Sequence, residues 1–227
     1  MKVTAIIPAA GSGKRLNAKK QFLKLLGKPL ISYTISEFES CQSVDDIIVI
    51  SAKDDIEQTK ELLKGFKKVK KIIEGGAERQ DSVYNGINSV EVESEEDIIL
   101  IHDGARPLIT RDIISKAISE AKVAKAVVVG VPSKDTIKTV SKDGIVAETL
   151  DRKAIWLVQT PQVFSFSVIK EAYERAKRIG YKATDDSKLV ERLGISVKIV
   201  MGSYENIKIT TSEDIAIAEA ILKGRGA

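Results

Sequence analysis

The 227-residue sequence predicts an α/β fold, a three-layer sandwich on a mostly parallel sheet with an inserted β-hairpin arm. Three observations carry this. Short β-branched runs are apolar at consecutive positions, the pattern of strands buried on both faces. Segments of helical period separate them, so strand and helix alternate as in a parallel sheet covered by crossover helices. The alternation is interrupted at 132–156 by two strand-like runs around Ser141-Lys142-Asp143-Gly144, with Asp-Gly as the hairpin signal. No Pro-, Gly- or Ser-rich linker divides the chain, so residues 1–227 are expected to form one domain.

In chain order, 3–7 is the first apolar run and ends in a glycine-containing turn. A helix-period segment over 29–40 leads to a strand at 46–51, a helix at 55–63 and a strand at 69–74. The glycine pair at 75–76 then opens a helix at 81–89. The strongest apolar strand, 98–102, precedes a helix at 110–124 and a strand at 126–131. The hairpin follows, with strands at 136–140 and 145–150, and then a helix at 165–179 and a strand at 197–201. Residues 207–210 read as a last strand delivered to a capped helix at 214–222, whose start is marked by Thr210-Thr211-Ser212-Glu213.

Composition narrows the function. Thirty-six Lys and Arg against thirty-two Asp and Glu leave a net charge of +4, too small and too mixed for a protein that coats polyanions. Lys64, Lys67, Lys68, Lys70 and Lys71 surround Phe66, but Glu57, Glu61 and Glu74 dilute them and aromatics are 5% of residues, so this is a solvated helix end. Cys41 stands alone, which excludes an internal disulfide and a cysteine metal cluster and suits a reducing cytoplasm. The apolar run at 3–10 passes directly into Gly11-Ser12-Gly13-Lys14-Arg15, unlike a signal peptide, and no apolar run approaches the roughly 20 residues of a membrane span.

In an open, Rossmann-like parallel sheet, ligands bind beyond the carboxyl ends of the strands, where loops and helix N-termini converge. After the first strand stands Pro8-Ala9-Ala10-Gly11-Ser12-Gly13-Lys14-Arg15, small residues whose free N–H groups form an anion cradle, with Lys14, Arg15, Lys19 and Lys20 supplying cations. A phosphate-rich ligand fits it. It is neither a P-loop, since Arg15 follows Lys14, nor a dinucleotide fingerprint, since Leu16 stands where the third Gly belongs. A second glycine loop, Gly75-Gly76-Ala77-Glu78-Arg79-Gln80-Asp81-Ser82-Val83, is by itself an ordinary capping loop with Asp81 or Ser82 as the cap. The strand at 98–102 ends in His102-Asp103-Gly104-Ala105-Arg106-Pro107. Asp103 is placed for Mg2+, which takes one or two carboxylates plus substrate phosphates, while His102, the only histidine, reads as structural.

These blocks, with Lys20-Gln21, Asp135-Thr136-Ile137-Lys138, Asp151-Arg152, Gln159-Thr160-Pro161-Gln162, Ala183-Thr184-Asp185-Asp186 and Asn206-Ile207-Lys208, resemble the 2-C-methyl-D-erythritol 4-phosphate cytidylyltransferase family of the non-mevalonate isoprenoid pathway. The resemblance spans nearly the whole chain, block by block in the family's order. It implies transfer of a cytidylyl group from CTP to 2-C-methyl-D-erythritol 4-phosphate with release of pyrophosphate, Mg2+ as cofactor, and a cytoplasmic homodimer joined through the β-arm. It also implies roles for individual residues. Arg15 and Lys20 are the catalytic cations. Pro8, Ala9, Ala10, Gly11, Gly13 and Lys20 cradle the nucleotide's phosphates, and Gly76 and Ser82 hold the cytidine. Asp103, Ala105 and Lys208 border both substrates, with Asp103 beside a metal held mainly by the triphosphate. Thr136, Arg152, Thr160 and Thr184 face the acceptor. The chain departs from the family's pattern at Lys19 (commonly Pro), Ala77 (Asp) and Gly104 (Ala). A cytidylyltransferase for another polyol phosphate, such as ribitol 5-phosphate, shares most blocks and is the alternative.

Overall fold

A computed structural model describes residues 1–11 and 19–226. Among the described residues, eleven strands and seven α-helices follow in chain order. Strand β1 (Val3–Pro8) is followed by a small antiparallel pair, β2 (Lys24–Leu25) and β3 (Lys28–Pro29), and then by α1 (Leu30–Ser40). Next come β4 (Asp46–Ser51), α2 (Ile56–Leu63), β5 (Val69–Glu74), α3 (Arg79–Ser89), β6 (Ile98–Ile101), α4 (Arg111–Ala124) and β7 (Ala126–Pro132). The arm is β8 (Lys138–Val140) paired antiparallel with β9 (Val146–Thr149). The chain closes with β10 (Trp156–Ser165), α5 (Phe166–Arg178), α6 (Asp186–Glu191), β11 (Lys198–Met201) and α7 (Ser212–Gly224).

Seven strands form one sheet in the order β11-β7-β10-β6-β1-β4-β5. All neighbours are parallel except at β10, which runs antiparallel to both β6 and β7. The pleat sends alternate residues of β1 to opposite faces. Val3, Ala5 and Ile7 join a core with Ile31, Ile35 and Phe38 of α1 and with Ile114, Ala117 and Ile118 of α4. Ile6 joins a second core with Val83 and Ile87 of α3 and with Ile169, Ala172 and Tyr173 of α5. Two cores on one sheet make the three layers that the uninterrupted apolar runs predict.

Three expectations are corrected. The sequence reading assigns no strand between the arm and 165, because Gln159, Thr160, Pro161 and Gln162 interrupt the apolar pattern and a proline cannot donate to a ladder. The structure runs β10 through them. Pro161 falls where the register with β7 shifts between Val158 and Gln162, and the buried amides find partners: Gln159 Nε2 donates to Ser203 O at 2.7 Å and Gln162 Nε2 to Asp185 Oδ2 at 2.9 Å. Residues 207–210 form no strand. Ile209 N donates to Ala105 O at 2.8 Å, which ties a loop rather than a ladder to the end of β6. Helix α3 starts at Arg79 rather than 81, because Glu78 is its N-cap and Asp81 is the reciprocal partner, accepting from Glu78 N at 3.1 Å.

Candidate functional site

The strand order reverses at β1, with β4 on one side and β6 on the other. Beyond the carboxyl ends of β1 and β6 lies a cavity of about 520 Å³, within the size range of small-ligand sites. Pro8, Ala9, Ala10 and Gly11 line one wall; Gly76, Ala77, Glu78, Arg79 and Ser82 line another. Asp103, Gly104 and Ala105 come from the end of β6, and Lys20, Gln21 and Lys208 complete it.

The two glycine loops meet because side chains are missing. A Cβ on Gly75 would stand 2.7 Å from the Ala10 Cβ and 2.9 Å from Ser82 Oγ, and one on Gly76 would stand 2.3 Å from the Asp81 Cβ. The Ser82 hydroxyl accepts from Gly76 N at 3.0 Å and donates to Glu78 O at 3.0 Å, so it holds the bend of the second loop.

The electrostatic centre is Asp103. Arg79 Nε donates to Asp103 Oδ1 at 3.0 Å and Lys208 Nζ to Oδ2 at 2.7 Å. Arg79 also forms a fork on Asp186, Nη1 to Oδ1 at 2.9 Å and Nη2 to Oδ2 at 2.8 Å, and the buried Tyr173 hydroxyl donates to Asp186 Oδ1. Burial by itself would raise the Asp103 pKa, but the Arg79 guanidinium, then Lys208 and Arg106, hold it well below the usual carboxylate range. Burial likewise opposes the charge of Arg79, and Asp186 and Asp103 outweigh it and raise its pKa. Burial, then Asp186, raises Tyr173 well above an ordinary phenol. Asp103 is therefore anionic and pinned, and the cavity presents the side chains of Lys20, Lys208 and Arg79 and the backbone of Ala10 and Gly11, while the Ala9 N–H already donates to Ile50 O at 2.8 Å.

Of the predicted residues, all but two fall among those described. Pro8, Ala9, Ala10, Gly11, Lys20, Gly76, Ser82, Asp103, Ala105 and Lys208 all line the cavity. Gly13 and Arg15 lie outside the described residues. Lys19 and Lys20 diverge: Lys19 pairs with the buried Asp55, whereas Lys20 faces the cavity and its Nζ donates to Ile209 O at 3.1 Å. Thr160 is buried behind the wall, where its hydroxyl accepts from Asp103 N at 3.1 Å and meets His102 Nδ1 at 3.1 Å. Thr136, Arg152 and Thr184 are exposed and off the cavity, with Arg152 Nη1 donating to Lys134 O at 3.0 Å at the base of the arm. His102 is fully enclosed, as the structural reading holds. The sequence assigns no role to the side chains of Arg79, Asp186, Tyr173 and Gln21, although Lys20-Gln21 is one of the motif blocks. Arg79 and Asp186 both sit in motif blocks, but nothing local shows that residues 107 apart form a fork.

The family model of 2-C-methyl-D-erythritol 4-phosphate cytidylyltransferase matches residues 3–224. The chain belongs to this family. A relative of that name from Geotalea uraniireducens is 48% identical over 98% of this chain and 97% of its own length. One from Clostridioides difficile is 51% identical over 96% of this chain and 93% of its own. Among solved structures, the 4-diphosphocytidyl-2C-methyl-D-erythritol synthase of Anaerococcus prevotii superposes with a TM-score of 0.88 at 34% identity, covering 98% of this chain and 96% of that one. The chain is thus a nucleotidyltransferase of isoprenoid precursor biosynthesis, and the ribitol phosphate alternative is not favoured.

Proposed function

We propose that this cavity is where the chain transfers the cytidylyl group of CTP to 2-C-methyl-D-erythritol 4-phosphate, giving 4-diphosphocytidyl-2-C-methyl-D-erythritol and pyrophosphate. The observation that carries the reading is the meeting, at the reversal of strand order, of the small-residue loop at Pro8–Gly11 with Lys20, Lys208 and the Arg79–Asp103 pair. The acceptor phosphate is already an oxygen nucleophile at neutral pH, so the reaction needs no general base. The obstacle is the approach of two anions. An in-line attack on the α-phosphorus loads charge on its equatorial oxygens and on the leaving pyrophosphate, so fixed cations and positioning supply most of the acceleration. Lys20, and Arg15 by resemblance, take that role, while Asp103 holds Lys208 at the border of the two substrates.

Mg2+ fits the donor set. Asp103 is ionised, and each of its oxygens carries one cation bond and keeps a lone pair, so it and the triphosphate oxygens would hold the ion. When bound, the ion neutralises charge on the triphosphate. Among the described residues no group of three His, Cys, Asp or Glu side chains could hold a metal unaided.

For the acceptor, Thr136, Arg152 and Thr184 stand off this chain's own cavity, and the arm exposes Val140, Ile145 and Val146. A homodimer that pairs the arms covers those apolar side chains and brings Thr136 and Arg152 to the partner's cavity. The lone Cys41 suits a cytoplasmic location.

The deciding assay is pyrophosphate release from CTP across a panel of polyol phosphates. Turnover on 2-C-methyl-D-erythritol 4-phosphate far above that on ribitol 5-phosphate supports the reading, and equal kcat/KM on both overturns the acceptor. Mixing Lys20→Ala and Arg152→Ala subunits tests the dimer: mixed dimers with one intact site restore about a quarter of wild-type activity if the arm serves its neighbour.

A further inference from the structure

We propose that Asp55 is a positioning residue that aims Lys20 into the cavity by gripping the residues on both sides of it. The inference rests on the reading of Lys20 as a catalytic cation. Asp55 ends the short 3-10 turn Lys53–Asp55 that joins β4 to α2, and its side chain is 3% exposed. Its carboxylate takes Lys19 Nζ on Oδ1 and Gln21 Nε2 on Oδ2, the latter at 3.2 Å. One buried carboxylate therefore holds the side chains on both sides of Lys20, and Lys20 between them reaches the cavity wall and Ile209 O, with Gln21 lining the cavity beside it.

The anchor is itself fixed. Asp55 N donates to Ala52 O at 2.9 Å, Thr59 Oγ1 donates to Asp55 O at 2.8 Å, and Thr59 Oγ1 meets Ser51 Oγ at 3.0 Å at the end of β4. Strand β4 pairs in register with β1, so the anchor is rigid with respect to the cradle that Lys20 must face. A lysine has four rotatable side-chain bonds and a compact charge, so its position at a transferring phosphoryl group depends on how its backbone is held. Misplacement by about 1 Å costs up to about 10²-fold in rate. At Lys19 the chain carries a side chain that can form this ion pair, and Asp55 is the partner buried to receive it.

The test is a double-mutant cycle on the full-length enzyme with Asp55→Ala and Lys20→Ala, read by pyrophosphate release from CTP and by thermal melting. If Asp55 acts through Lys20, Asp55→Ala lowers kcat about tenfold with KM for CTP changed less than about threefold, and adds no further loss, within about twofold, in the Lys20→Ala background. An equal fold-loss in both backgrounds makes Asp55 merely structural and overturns the proposal, as does an unchanged kcat in Asp55→Ala. Wild-type turnover by Lys20→Ala alone overturns the catalytic reading of Lys20 first, and that single variant distinguishes the two failures. If Asp55→Ala does not fold, Asp55→Asn carries the same cycle. It keeps an acceptor for Gln21 and loses the charge that holds Lys19, so a smaller drop in kcat, absent in the Lys20→Ala background, is expected. An additive drop overturns the proposal.

Discussion

Replacing His102 by Gln should flatten the dependence of stability on pH between about 7 and about 4. His102 Nε2 lies 3.2 Å from Arg106 O, which only accepts, so that nitrogen carries the proton. Nδ1 then accepts from the Thr160 hydroxyl at 3.1 Å, and Thr160 Oγ1 accepts from Asp103 N. The neutral ring satisfies every member of this chain, whereas a proton on Nδ1 would bury a charge and deprive the Thr160 hydroxyl hydrogen of its acceptor. Burial is the main reason the His102 pKa falls to about 4; the unfolded chain should titrate near about 6.5. With the folded value lower, the unfolded state binds the extra proton first. The stability owed to neutral His102 is then fully present above about pH 6.5 and is lost as pH falls toward about 4. A gap of about 2.5 units amounts to about 3 kcal/mol. For a chain of this size that is a Tm change of roughly 10 °C. Melts of wild type and His102→Gln followed by circular dichroism should show the variant less stable at neutral pH, with the difference narrowing by about 3 kcal/mol by about pH 4. Parallel curves would refute the buried neutral imidazole.

Lys20→Ala should lower kcat by at least about 10²-fold with little change in Tm, because it removes a transition-state cation and no core contact; steady-state kinetics and a melt check both parts. Lys19→Ala should reduce kcat much less, and the reverse ranking would show that Lys19 is the catalytic cation. Arg79→Ala leaves Asp186, whose side chain is 1% exposed, without its fork, and should cost about 3–5 kcal/mol, measured by urea unfolding. A loss below about 1 kcal/mol would mean that the Arg79 fork on Asp186 carries little stability. CTP should be preferred over UTP, since a site that hydrogen-bonds the amino edge of cytosine would leave its buried groups unpaired with uracil; equal kcat/KM for the two would contradict it.

The local signals reached far into this protein. Consecutive apolar residues and helical period located β1, β4, β5, β6, β7 and the helices between them, because burial on both faces of a parallel sheet writes itself into each strand alone. The rule that ligands sit beyond strand carboxyl ends pointed to Pro8–Gly11 and Asp103, and the family resemblance to Gly76, before any of them could be shown to share a cavity. What required the tertiary structure is non-local and polar. Strand β10 is invisible in sequence because Gln159, Thr160 and Gln162 are buried only by virtue of partners contributed by other segments. Lys19 is set apart from Lys20 by Asp55, which arrives on the turn after β4, and Arg79 is explained by Asp186, 107 residues away. Hydrophobic burial is repeated along each element and so leaves a periodic trace. A buried charge is tolerated only where a specific partner meets it, and the identity of that partner is decided when the chain folds back on itself.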